Sequence, residues 1–186
     1  MTMGQKFAGF DSNGAIVAFF DSEDSPAPEG TDNLIEISDD EWRACLVTPG
    51  YTVLDGELRA PSPAALLAQA QATKMSALHL DYLTASQIDV TYKSASGVAT
   101  RYQADSESQA RLLVATTGYG LSGATPTGFY WVARDNTQVP FTLDDLKGLY
   151  GVMLVQGNTE FNKLQTLKAK VRTAETVESV GAITWG

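Results

Sequence analysis

The stretch from Gly128 to Val171 constrains the fold more than any other part of the chain. It reads GFYWVARDNTQVPFT followed by LDDLKGLYGVMLVQGNTEFNKLQTLKAKV. The first half is two short aromatic and β-branched runs about a polar turn, the pattern of a hairpin. The second half opens at Thr142, a good N-cap, with Asp144 and Asp145 in the first turn, where negative charge suits the helix dipole. Leu143, Leu146, Tyr150, Met153, Phe161, Leu164 and Val171 then follow at helical spacing, broken by one gap of eight that spans Gly157. Gly148, Gly151 and Gly157 each cost a helix interior about 1 kcal/mol. Because the apolar stripe resumes after Gly157, displaced by about one residue, the spacing predicts one kinked helix rather than two. A hairpin feeding a long amphipathic helix points to an α+β fold with antiparallel hairpins packed on that helix.

The upstream chain repeats the hairpin theme. In KFAGFDSNGAIVAFFD the pair Asn13-Gly14 predicts a type I′ turn, with Phe7, Phe10, Ile16, Val17, Phe19 and Phe20 as flanking strand formers. The acidic DSEDSPAPEGTD reads as a loop and NLIEIS as a short strand. Ser38 and Glu41 have capping-box spacing for a short helix carrying Trp42, Cys45 and Leu46 and ended by Pro49-Gly50; TVLDGELRA predicts a hairpin turning at Asp55-Gly56. Ser62-Pro63 starts an alanine-rich helix, with Pro at the first helical position, where its missing N–H costs nothing. That helix carries two weak stripes: Leu66, Ala70, Thr73, Ala77 and Leu80 on one side, Met75, Leu78 and Tyr82 on another. It suits an intramolecular connector or a homo-oligomer seam. Beyond Gln87 come a hairpin about Ser94–Gly97, a helix capped by Ser106 and Gln109 that should stop at Gly118 or Gly120, a loop LSGATPTG, and a last short helix capped by Thr176. The expected division is 1–60 as a small β-rich module, 61–86 as a connecting helix, and 87–186 as a mixed α+β domain.

Charge follows this division. Residues 1–60 hold 12 Asp/Glu against 3 Lys/Arg, and residues 61–186 hold 10 against 10, so the whole net charge of −9 belongs to the first third. No basic stripe exists to neutralise phosphates, which argues against nucleic acid. No apolar run approaches the roughly 20 residues of a membrane span, and MTMGQKFAGF lacks a signal-peptide core. A single cysteine, Cys45, excludes an internal disulfide framework and fits a reducing compartment.

Catalytic chemistry finds little to work with. His79 is the one histidine, set between Leu78 and Leu80 on the alanine-rich helix, where a surface or partly packed role is expected. A nucleophilic cysteine wants a base and an electropositive setting, and Cys45 lies in the acidic third, so it reads as core. Asp39–Glu41 and Asp144-Asp145 are explained as helix-start carboxylates, and neither has EF-hand spacing. A glycan-cleaving enzyme would need two acids across a cleft, which these sequence-adjacent groups do not supply. The glycine-bearing segments lack phosphate-loop or dinucleotide spacing. Trp131, among Phe129, Tyr130 and Val132, reads as core. The expectation is a non-enzyme without cofactor or metal.

Two resemblances extend this reading. Residues 5–75, through FDSNGAIVAFF, NLIEISDDEW and YTVLDGELRAPSP leading into an alanine-rich helix, resemble the N-terminal part of bacteriophage tail fibre assembly proteins. Residues 88–185, through VTYKSASGVATRYQADSESQARL, FYWVARDNTQVPFTLDDLKGL and LKAKVRTAETVESVGAITW, look like a domain of uncharacterised function found in phage and prophage proteins. The resemblance implies a chaperone that helps a trimeric tail fibre fold in the infected bacterial cytoplasm, with possible retention at the fibre tip. A virion tail subunit is the alternative. It also implies that partner binding falls to the first 60 residues, with Phe7, Phe10, Phe19, Trp42 and Tyr51 as the candidate contacts, and that no catalytic residues are inherited.

Overall fold

The computed structural model describes residues 4–186. Among the described residues nine short strands and five helices form an α+β fold, and the chain divides into two compact units, Met1–Ala70 and Gln71–Gly186. The division falls inside the alanine-rich helix.

In the first unit, β1 (Lys6–Phe10) is the central strand of a three-stranded antiparallel sheet, between β2 (Ile16–Asp21) and β3 (Leu34–Ile37). The β1–β2 turn differs from the expected type I′. Gly14 has φ 78°, but Asn13 does not enter the left-handed region. Instead the Gly14 N–H donates to Asp11 O at 2.9 Å, and the Asp11 N–H donates to Ala15 O at 2.9 Å. That is a type I turn closed by a left-handed glycine. The Asp11 carboxylate selects it by accepting the N–H groups of Asn13 (2.8 Å) and Ala15 (2.9 Å). The β4–β5 hairpin (Thr52–Leu54, Glu57–Arg59) does have the type I′ turn, with Asp55 at φ 54° and Gly56 at φ 76°. Its first strand meets the first turn, the Val53 N–H donating to Gly14 O at 2.7 Å. Between them α1 (Asp39–Val47) carries the expected capping box, Ser38 with Glu41. Buried Ala8, Ile37, Cys45 and Val53 make a small core.

Helix α2 (Pro63–Ala85) starts as expected, with Ser62 Oγ accepting from the Ala65 N–H at 3.1 Å. In the second unit its Met75–Leu78–Tyr82 stripe turns inward: Leu78 is buried, while Leu80 on the other stripe is 64% exposed. Its part from Gln71 to Ala85 runs antiparallel to α4 (Leu143–Thr173). Gln71 Nε2 donates to Val171 O and Ala174 O, both at 3.1 Å, Tyr82 meets Phe161 edge-on, and Gln156 Nε2 donates to Ile88 O at 2.8 Å.

The hairpins β6–β7 (Val90–Lys93, Ala99–Tyr102) and β8–β9 (Tyr130–Val132, Gln138–Pro140) pack with α3 (Ser106–Ser122) on the first half of α4. Tyr102, Leu112, Phe141, Leu146, Leu149 and Met153 are the heart of that core. Two boundaries of α3 depart from expectation. Asp105, not Ser106, is the N-cap, accepting from the Ser108 N–H at 2.9 Å. Gln109, expected to close a capping box, instead donates to Ala104 O at 2.7 Å. The helix also passes Gly118 and Gly120 and ends only at Gly123, whose φ of 79° supplies the left-handed terminator.

Helix α4 is a single uninterrupted helix of 31 residues, opened by a Thr142–Asp145 capping box. Its buried apolar stripe is Leu146, Leu149, Met153, Leu164, Leu167 and Val171, whereas Phe161 is 46% exposed. The jump from Met153 to Leu164 is 11 residues, close to three whole turns, so the stripe keeps its face without displacement. Thr176 caps α5 (Val177–Gly181) as expected.

Candidate functional site

Strand alternation sorts the aromatic residues of the first unit. On β1, Lys6, Ala8 and Phe10 point to one face and Phe7 and Gly9 to the other. Cross-strand partners share a face. Asp21, Phe19, Ile37 and Ile35 therefore join Lys6 and Ala8, whereas Phe20, Ala18, Glu36 and Leu34 join Phe7 and Gly9. Helix α1 lies over the first face, since Lys6 Nζ sits 5.0 Å from the Trp42 ring centre. The five candidates are thus split. Phe10, Phe19 and Trp42 belong to the helix-covered side, Phe7 to the opposite face, and Tyr51 to the segment entering β4; all five are half-buried. Phe20 and Leu34, which the sequence reading did not single out as contacts, sit beside Phe7. The signal for them was cross-strand register, which a single strand's pattern does not contain.

Electrostatics on the helix-covered side is a closed pair. Lys6 and Asp21 form an ion pair, and their hydrogen bond holds the Asp21 carboxyl below the ordinary range and raises the Lys6 ammonium. Burial, helped by Glu41, pushes the Cys45 thiol up, away from the reactive thiolate.

In the second unit one charged side chain is buried. Asp145 is 4% exposed, and its carboxylate accepts from the Thr142 N–H and Oγ1 (both 2.8 Å), the Ala95 N–H (2.8 Å) and the Tyr92 hydroxyl (3.4 Å). Burial alone would raise its pKa. The hydrogen bonds from Thr142, Ala95 and Tyr92 outweigh it and hold the carboxyl below the ordinary range. Asp145 therefore fastens the start of α4 to the β6–β7 loop, its two oxygens accepting from four donors.

Elsewhere in this unit, α3 and strand β8 line two adjoining open hollows of about 620 and 250 Å³ that share Arg111, Phe129 and Trp131. Val114, 72% exposed, and Gly118 line the larger one. Trp131 is half-buried against the core and also faces this groove. His79 is exposed on α2 with its ring stacked on Tyr82 at 6.1 Å. Asp144 is exposed and 3.6 Å from Lys147. No group of three or more His, Cys, Asp or Glu side chains is poised to hold a metal among the described residues, and none of their helices is long and apolar enough to cross a membrane.

The geometry defines two compact units built of short antiparallel strands and helices. Residues 84–184 match the family described as Domain of unknown function (DUF4376), and the chain belongs to that family. No curated protein and no solved structure matches the chain.

Proposed function

We propose that this protein is a tail fibre assembly chaperone of bacteriophage or prophage origin, acting by binding rather than by catalysis. The observation that carries this reading is the order of pieces in the first 75 residues: hairpin, strand, capped short helix, hairpin, then a proline-initiated helix. That order, together with the FDSNGAIVAFF, NLIEISDDEW and YTVLDGELRAPSP segments, resembles the fibre chaperones' N-terminal part. The strongly acidic first third and the half-buried aromatics on both faces of its sheet suit a partner-binding module. The partner is a tail fibre protein, met in the cytoplasm of the host bacterium. Co-expression of the adjacent fibre gene with and without this protein tests the proposal. Soluble, trimeric fibre is expected only in the presence of the chaperone; equal yields would refute it.

A further inference from the structure

We infer that the sheet face bearing Phe7, Phe20 and Leu34 is a docking surface for a cationic amphipathic helix of a partner polypeptide. The inference rests on the reading that this unit binds a partner, and it names the surface and the partner's chemistry.

An antiparallel sheet with one solvated face alternates apolar and polar residues along its strands. This sheet does not. The face covered by α1 carries Ala8, Phe19, Ile35 and Ile37, yet the opposite face carries Phe7, Gly9, Ala18, Phe20 and Leu34, with Glu36 as its one polar side chain. The glycine sets the shape. A Cβ on Gly9 would stand 3.1 Å from the Phe20 ring and 3.5 Å from Leu34 Cδ2, so these two half-buried side chains close over Gly9. Three strands at about 4.8 Å spacing make a strip about 10 Å wide. One helix, about 10–12 Å across, matches that width.

Charge selects the occupant. Residues 1–60 carry −9, and each of their cations is already paired: Lys6 with Asp21, Arg43 with Asp40, Arg59 with Glu57. Glu36 faces the strip itself, directly across from Phe7. A second copy of this chain brings the same −9 and is repelled, as are nucleic acid and an anionic membrane. A helix with an apolar stripe bordered by Lys or Arg satisfies both the apolar strip and Glu36 on it, within a unit of net charge −9.

The test uses the full chain and two designed helical peptides of about 18 residues, with the same leucine stripe and either Lys or Glu on its borders. Binding is measured by calorimetry and mapped by backbone amide shifts. Two variants, Glu36→Lys and Asp40→Lys, change net charge equally. Asp40 is on α1, beyond the other face, with a side chain 95% exposed. The Lys-bordered peptide should bind with shifts in β1–β3, and the Glu-bordered one should not. Glu36→Lys should weaken binding about tenfold and Asp40→Lys about twofold or less. Absence of binding, equal weakening by both variants, or shifts confined to other elements would overturn the inference. Peptide binding without any effect on fibre yield would refute the chaperone reading and leave the surface standing. Fibre rescue that Glu36→Lys leaves intact, with no peptide binding, would refute the surface alone.

Discussion

Replacing each of the three glycines in the first half of α4 by alanine separates what sequence and structure say about them. In a helix interior the change gains about 1 kcal/mol of propensity. At Gly151 and Gly157 a Cβ meets no atom within 4 Å, so each variant should be stabilised by about 0.5–1 kcal/mol. At Gly148 it would stand 2.3 Å from the Tyr92 hydroxyl, 2.7 Å from Cζ and 2.8 Å from Cε2. The ring cannot yield freely, because Tyr92 is fixed in β6, packs edge-on to Phe141 at 6.1 Å and hydrogen-bonds Asp145. Overpacking of this kind costs about 1–3 kcal/mol, and the displaced hydroxyl forfeits about 1 more. Against the propensity gain, Gly148→Ala should be destabilised by about 1–3 kcal/mol, read by urea denaturation followed by circular dichroism. In a Tyr92→Ala background the same change should become stabilising, a coupling of about 2–4 kcal/mol. If Gly148→Ala stabilises as much as the other two in the wild-type background, the reasoning fails.

Gly14→Ala should destabilise the first unit by about 2–4 kcal/mol, because it combines a φ of 78° with a Cβ placed 2.2 Å from Val53 O; Gly56→Ala, at similar φ but in open space, should cost about 1 kcal/mol, both by denaturant melts. Asp105→Ala should cost about 1 kcal/mol and Ser106→Ala less than about 0.5, the reverse of what a Ser106 cap requires. Asp145→Asn should cost about 2–4 kcal/mol. Since the folded pKa of Asp145 is depressed, its contribution is present above the unfolded value near 3.8 and is lost as pH falls through the lower folded value. The acid limb of stability against pH should therefore be shallower in Asp145→Asn than in the wild type.

Local chemistry was legible in the sequence where one residue decides it. Ser38, Thr142 and Thr176 cap the helices their spacing announced, and Asp55-Gly56 makes the expected hairpin turn. Asn13-Gly14 misled because the nearby Asp11 carboxylate captured the turn's N–H groups, a competition that a two-residue motif does not contain. The sequence stripe of α4 takes Tyr150 where its neighbour Leu149 is the buried residue, and a displaced spacing across Gly157 brings in Phe161 and passes over Leu167; the helix's own 11-residue phase is the better guide beyond Met153. Asp145 looked like an ordinary helix-start carboxylate, and it is one. Its second role, clamping the Ala95 loop, depends on a contact 50 residues away. The face shared by Phe7, Phe20 and Leu34 needed β1 paired on both sides before it could be seen.

Hydrogen exchange of the full chain, alone and co-expressed with the tail fibre proposed as its partner, asks most directly whether the acidic first unit is the part that grips a partner. Protection should rise in Lys6–Phe10, Ile16–Asp21 and Leu34–Ile37 and stay unchanged in Val90–Lys93 and Ala99–Tyr102. Protection confined to residues 84–184 would contradict that assignment and transfer the binding role to the family domain.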